Sequence, residues 1–214
     1  MSDVINKISS SLQAGDVASV EELVDKALKD GVSAKDVLEQ GLMPGMEVLA
    51  DKFKKNEVYI PEVLMAAQAM NAGTMRLKPY LVESGIASLG KAIIGTVKGD
   101  LHDIGKNIVR MMLESKGFEV IDLGADVAPQ KFLEVYSAEK PDIVAMSALL
   151  TTTMTEMKTT IDVFTEAGER KNVMFMVGGA PVSEEFGKSI GSDMYAPDAA
   201  TAADKARDAL SKKQ

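Results

Sequence analysis

The sequence predicts an α/β chain in two parts. Residues 1–86 read as an N-terminal helical bundle and residues 91–214 as a doubly wound, parallel five-stranded sheet. Three observations carry that prediction. Apolar residues recur at helical spacing throughout the first part. From Lys91 onward, short apolar runs alternate with helical patterns, as parallel strands joined by crossover helices require. Between them lies Ser84-Gly85-Ile86-Ala87-Ser88-Leu89-Gly90, small residues without a period, which reads as a linker.

In the first part, Val4, Ile5, Ile8 and Leu12 form one apolar stripe that ends near Gly15. Asp16 is placed to cap a second helix carrying Val20, Leu23, Val24, Ala27 and Leu28, which Gly31 stops. Ser33-Ala34-Lys35-Asp36 resembles a capping box with Asp in the place of Glu. The helix that follows is punctuated by Gly41 and Pro44 and continues through Met46, Val48, Leu49 and Phe53. Ile60-Pro61-Glu62 looks like a fresh start, with proline in the first turn and an acid at the positive dipole end. That helix should reach about Lys78. Its Ala, Met and Gly content points to close packing, and Ala66, Met70 and Gly73 fall on one face.

In the second part the strands are expected at 91–97, 119–123, 142–147, 173–177 and 193–195. Helices are expected after the first strand from Ile104, from Pro129, over 153–169, from Ser183 to before Gly191, and from Ala199 to Leu210. A flavodoxin-like order, 2-1-3-4-5, puts the first and third strands at the switch point, where such sheets bind ligands.

Composition narrows the function. A net charge of −8 and a pI near 4.8 argue against nucleic acid and against an anionic membrane surface. No apolar run has transmembrane length, and Met1-Ser2-Asp3 does not open a signal peptide, so a cytoplasmic location is expected. With no cysteine there are no disulfides, thiolate metal sites or cysteine nucleophiles.

The chemistry concentrates in Gly99-Asp100-Leu101-His102-Asp103-Ile104-Gly105, a strand-to-helix loop that holds the sole histidine. Asp100 and His102 are two apart, so an extended segment projects both to one side. A carboxylate can then bond one imidazole nitrogen and leave the other for a metal. The alternative is a histidine that merely caps the following helix. Zinc would want three or four ligands. One imidazole suits a metal already held in a macrocycle, haem included. Glycines at 99, 105, 178 and 179 suggest a large group passing close to several backbones.

Asp100-x-His102-x-x-Gly105, then Ser147-x-Leu149, then Gly178-Gly179, resemble in order and spacing the fingerprint of corrinoid-binding domains. The helical part resembles the cap that precedes that domain in cobalamin-dependent methionine synthase. It also resembles the cap in small corrinoid proteins of methyltransferase systems for methylamines, methanol or glycine betaine, whose two-domain length this chain fits closely. The resemblance covers almost the whole chain. It implies a corrinoid cofactor whose cobalt takes His102 in place of the cofactor's own base, with Asp100 and Ser147 relaying protons to the histidine. It implies that Gly178 and Gly179 let the nucleotide tail pass. Gly99, Asp103, Ile104, Gly105, Leu149, Thr151 and Tyr195 complete the expected contact set.

The function implied is that of a methyl carrier rather than an enzyme in itself, of the kind found in methanogenesis or acetogenesis. A substrate:corrinoid methyltransferase would load it. A methylcorrinoid:acceptor methyltransferase would unload it to a thiol or pterin, and a reductive activation protein would maintain it. On this reading Ala66, Met70 and Gly73 are expected to shield the methyl group. The cobalamin-binding subunit of a carbon-skeleton mutase shares the first motif but lacks the cap. A light-sensing cobalamin regulator would bring a basic DNA-binding segment, and the sequence has no such run. In a non-corrinoid flavodoxin-like domain the histidine would be incidental.

Overall fold

The computed structural model describes residues 2–83 and 88–211. It divides into two units, Met1–Ala87 and Ser88–Gln214. Residues 84–87 of the expected linker lie outside the described residues, and Gly90, its expected last residue, already opens the first strand.

The first unit is helical because its apolar stripes need one another. Helix α1 (Ser2–Gln13) buries Ile5, Ile8 and Leu12, and α2 (Val17–Lys29) buries Val20, Val24 and Ala27. Asp16 caps α2, its carboxylate accepting from Ser19 N–H at 3.0 Å. At the other end Gly31 turns left-handed, and N–H groups of Gly31 and Val32 close a Schellman pair onto Leu28 and Ala27. Ser33 caps α3 (Ala34–Asp36), accepting from Asp36 N–H.

The chain then widens into a π-helical stretch, Val37–Leu42, before α4 (Met43–Lys54). Met43 N–H reaches back to Leu38, and Pro44, which has no N–H to give, sits at the new helix start. The proline therefore changes the pitch without ending the helix.

Helix α5 (Ile60–Glu83) is longer than its sequence suggests, because it runs through Pro79. Pro79 and Met75, whose carbonyl the proline leaves without its helical donor, are both exposed residues, where water can replace the lost bond. A second departure concerns the face carrying Ala66, Met70 and Gly73. It is buried, and a Cβ on Gly73 would stand 3.0 Å from Leu42 and 3.1 Å from Val20. That face is consumed by packing within the bundle and is not free to shield a ligand. Among the described residues of this unit, the exposed large apolar side chains are Val48, Tyr59, Ile60, Met65, Met75 and Tyr80.

The second unit is a five-stranded parallel sheet in the order β2-β1-β3-β4-β5, with the strands at Gly90–Thr96 (β1), Phe118–Asp122 (β2), Ile143–Ser147 (β3), Met174–Gly178 (β4) and Met194–Ala196 (β5). This is the flavodoxin-like α/β order. Each strand begins within a residue of its expected position. The crossover helices are α6 (Ile104–Ser115), α7 (Pro129–Glu139), α8 (Glu156–Glu166) and α9 (Glu184–Ser189), and α10 (Ala199–Ser211) closes the chain.

Only α8 departs much from expectation. It starts at Glu156 because the residues before it turn toward the site, and it ends before Gly168, whose left-handed backbone (φ +75°) completes another Schellman pair. The core runs through Ile93, Val144, Phe164 and Phe175, with Phe164 edge-on to both Tyr136 and Phe175. One register row, Thr96–Ser147–Gly178–Ala196, marks the carboxyl edge of four strands. The chain leaves β1 toward β2 and leaves β3 toward β4. The crevice between those exits is where the site lies.

Candidate functional site

Asp100 is the anchor of the site. It follows β1 and is wholly buried, yet its carboxylate meets five donors. Oδ1 accepts from His102 N–H at 3.1 Å and lies 2.7 Å from His102 Nδ1. Oδ2 accepts from Leu149 N–H at 2.8 Å, Leu150 N–H at 3.3 Å and the Thr153 hydroxyl at 2.7 Å. Thr153 Oγ1 also lies 3.1 Å from the Leu150 carbonyl, but it has one proton, and the shorter bond to the charged oxygen is the stronger. Burial pushes the Asp100 pKa up. The bonds from Leu149, Thr153 and His102 outweigh it and hold the group well below the usual carboxylate range. The carboxylate is therefore ionised, and Nδ1 of His102 carries the proton it shares.

That fixes the imidazole. Nε2 points away from that bond on a ring left open for another partner, and the side chain is 52% exposed. Thr96 Oγ1 donates to the His102 carbonyl at 3.0 Å and pins the backbone below the ring. The reading of His102 as a helix cap fails, because the residue at that position of α6 is Asp103. Asp103 makes no side-chain cap bond and accepts instead from Asn107 Nδ2 at 3.2 Å.

The structure moves one expected role. The hydroxyl that reaches Asp100 belongs to Thr153 and not to Ser147. Ser147 ends β3 in the register row between Thr96 and Gly178, and its carbonyl accepts from Val97 N–H. Thr153 lies six residues on, where the loop doubles back over Asp100. Leu149 is brought to the site through its N–H, while Thr151 is an exposed turn residue of the same loop. Tyr195 is not beside the histidine. It stands on β5, paired with Val177 of β4.

The glycines divide into two kinds. Gly179 has φ +125°, and a Cβ there would fall 1.9 Å from the Ala148 carbonyl oxygen, so the fold alone requires glycine. Gly178 similarly faces the Ala196 carbonyl oxygen at 2.9 Å. Gly99 is left-handed as well (φ +80°). Gly105 is different. A Cβ there would meet nothing within 4 Å, so the chain itself has no need of the space it leaves.

Four large apolar side chains stand exposed on the two loops that meet at Asp100: Leu101 and Ile104 from the loop after β1, and Leu149 and Leu150 from the loop after β3. Among the described residues of this unit they are the exposed large hydrophobics. No group of three or more His, Asp or Glu that could hold a metal ion occurs among the described residues. One half-exposed imidazole beside exposed apolar side chains fits a metal carried in a macrocycle that takes a single ligand from the protein.

Comparison with known proteins agrees. A family model described as a B12 binding domain matches residues 90–204, and another with the same description matches residues 4–78. Trimethylamine corrinoid protein 2 of Methanosarcina acetivorans is 41% identical over 210 residues, 97% of each chain. The dimethylamine corrinoid protein of Methanosarcina barkeri is 38% identical over 209 residues, covering 97% of this chain and 98% of that one. Among solved structures, the methanol:cobalamin methyltransferase complex of Methanosarcina barkeri matches with a TM-score of 0.86 at 31% identity, over 98% of this chain and 80% of that one. A cobalamin-binding protein from Desulfitobacterium hafniense DCB-2 matches with a TM-score of 0.80 at 31% identity, over 95% and 97%.

Proposed function

The chain belongs to the B12-binding family of small corrinoid proteins, and from that premise we propose that it is a methyl carrier serving two methyltransferases. The observation that carries the reading is the lone, half-exposed imidazole held through Nδ1 by Asp100, where two loops carrying four exposed apolar side chains meet. When bound, the corrinoid supplies a cobalt centre able to accept and release a methyl group.

The chain supplies the rest. His102 would hold the cobalt through Nε2. Asp100 holds the other ring nitrogen and sets the imidazole's basicity, and Thr153 in turn holds Asp100. Leu101, Ile104, Leu149 and Leu150 give the macrocycle an apolar seat, with Asp103 and Gly105 at its edge. Ser147, Gly178 and Gly179, at the floor of the crevice, are assigned to the nucleotide tail, with Thr151 and Tyr195 along its path.

We assign residues 91–214 to corrinoid binding and residues 1–86 to a helical cap that covers the other face. The protein is not an enzyme alone. One methyltransferase loads it from a small methyl donor, a second passes the group to a thiol or pterin, and an activation protein restores the reduced cofactor. An acidic surface suits protein partners and a cytoplasmic setting. No helix among the described residues is long and apolar enough to cross a membrane. The mutase subunit is the weaker reading, because full-length relatives are named as methylamine corrinoid proteins.

The test uses the single histidine. Protein labelled with 15N-histidine and loaded with cob(II)alamin should show 15N hyperfine coupling in its electron paramagnetic resonance spectrum. Bound cofactor without that coupling would remove His102 as the ligand.

A further inference from the structure

The loop that carries His102 is gripped from two sides. The first grip is the β3 loop, closed on the Asp100 carboxylate. The second comes from the opposite neighbour, β2. Its exit runs alongside β1: Leu123 N–H donates to the Ile94 carbonyl, Thr96 N–H to Gly124, and Val127 N–H to Thr96. At its tip stands Asp126, a non-glycine residue with left-handed backbone (φ 54°). Its carboxylate Oδ1 accepts from Gly99 N–H at 2.7 Å, while its own N–H donates to the Asp100 carbonyl at 3.0 Å. One residue thus clamps both ends of the Gly99–Asp100 dipeptide. Asp, Asn and Gly are the residues that occupy this conformation readily, and of these only Asp and Asn supply the acceptor.

We propose that Asp126 is a positioning residue for the axial histidine. It fixes the Gly99–Asp100 backbone so that the Asp100 carboxylate addresses both the β3 loop and the His102 ring. The proposal rests on His102 being the cobalt ligand. Gly99 has the left-handed freedom to place Asp100 in more than one way. Asp126 removes that freedom before any cofactor arrives, much as outer partners of metal-bound histidines fix ring orientation. Charge is not the operative property. An acceptor on a residue that tolerates left-handed backbone is.

The experiment compares wild type with D126N and D126G, all labelled with 15N-histidine. D126N keeps the acceptor and the backbone tolerance, whereas D126G keeps only the tolerance. Without cofactor, the ring nitrogens of wild type and D126N should report one tautomer protonated at Nδ1, and D126G should report a mixture. With cob(II)alamin, D126G should lose about 10–100-fold in affinity and part of its 15N hyperfine signal, as loss of a histidine's outer partner does. D126N should restore both. In wild type, a scalar coupling across the hydrogen bond from Gly99 N–H to the Asp126 carboxylate should be detectable. Its absence overturns the proposal even if D126G fails to fold, and so does a D126G protein that matches wild type in tautomer and affinity. A wild type that binds cob(II)alamin without hyperfine coupling defeats the ligand assignment instead, and the cofactor-free spectra still judge the clamp.

Discussion

At the scale of single residues, the site turns on which hydroxyl meets Asp100. Thr153→Val removes that hydroxyl with little change of shape and leaves a buried carboxylate one donor short. It should cost about 1.5–3 kcal/mol in urea unfolding, the range for a hydrogen bond to a charged group. Ser147→Ala should fall within about 0.5 kcal/mol, as substitutions away from such networks do. Gly105→Ala separates stability from function. Near the start of α6, with open space around it, alanine should stabilise by about 0.5–1 kcal/mol. The same methyl should weaken corrinoid binding, seen as a raised dissociation constant in a spectral titration. The Asp100–His102 pair was legible in the sequence because its members are two residues apart on an extended segment. Thr153 was not. Ser147 and Thr153 offer the same chemistry, and the path of the loop between them decides which one arrives. Asp126 was equally hidden, since its role comes from a left-handed backbone that no local pattern announces.

At the scale of elements, α6 is held to the sheet by a charge. Lys106 is almost wholly buried, and its ammonium lies 2.6 Å from both oxygens of Asp122 at the end of β2. Arg110 reaches the same carboxylate at 3.3 Å, and Gly124 N–H donates to it. Burial raises the Asp122 pKa, but Lys106, the Gly124 N–H and Arg110 together bring it below its ordinary 3.8. The pair is asymmetric. Asp122→Asn takes the counter-charge from a buried ammonium that keeps only the neutral acceptor Asn107 Oδ1 at 2.7 Å beside the new amide, and should cost up to about 3–5 kcal/mol. Lys106→Met leaves Asp122 with Arg110 and partial exposure, and should cost less. Chemical denaturation of the two variants checks the order. Asp100 and Asp122 both have depressed folded pKa values, so their stabilisation is complete above 3.8 and fades as pH falls below it. A plot of stability against pH should therefore drop on the acid side of 4, and Asp122→Asn should flatten part of that drop. The helix starts at Asp16, Ser33 and Ser183 were easy to read, since each accepts from an N–H three residues on. Helix ends were not: α5 passes Pro79, whose lost bond water can replace, and α8 stops at a glycine that reads as ordinary.

At the scale of the molecule, each unit has its own core, and the two divide the expected work. A fragment beginning at Ser88 should fold, bind corrinoid and keep the histidine ligand. If residues 1–86 cover the far side of the cofactor, cyanide should add to the bound corrinoid faster in the fragment than in the full chain. Equal rates would recast the helical unit as a docking platform. The small-residue face at Ala66, Met70 and Gly73 suggested a shield from sequence, because small residues read alike whether they face a ligand or a neighbouring helix.

The burial of Asp100 has a consequence in time as well as in space. Leu149 and Leu150 expose their side chains, yet their amide hydrogens are committed to a carboxylate that water does not reach. In deuterium exchange this surface loop should keep its protons as a central strand does, in the empty protein as much as in the loaded one. The receptor half of the site would then be finished before its cargo comes. Loading would be paced by encounter and by departure of the cofactor's own base, with no slow step for the chain to arrange itself.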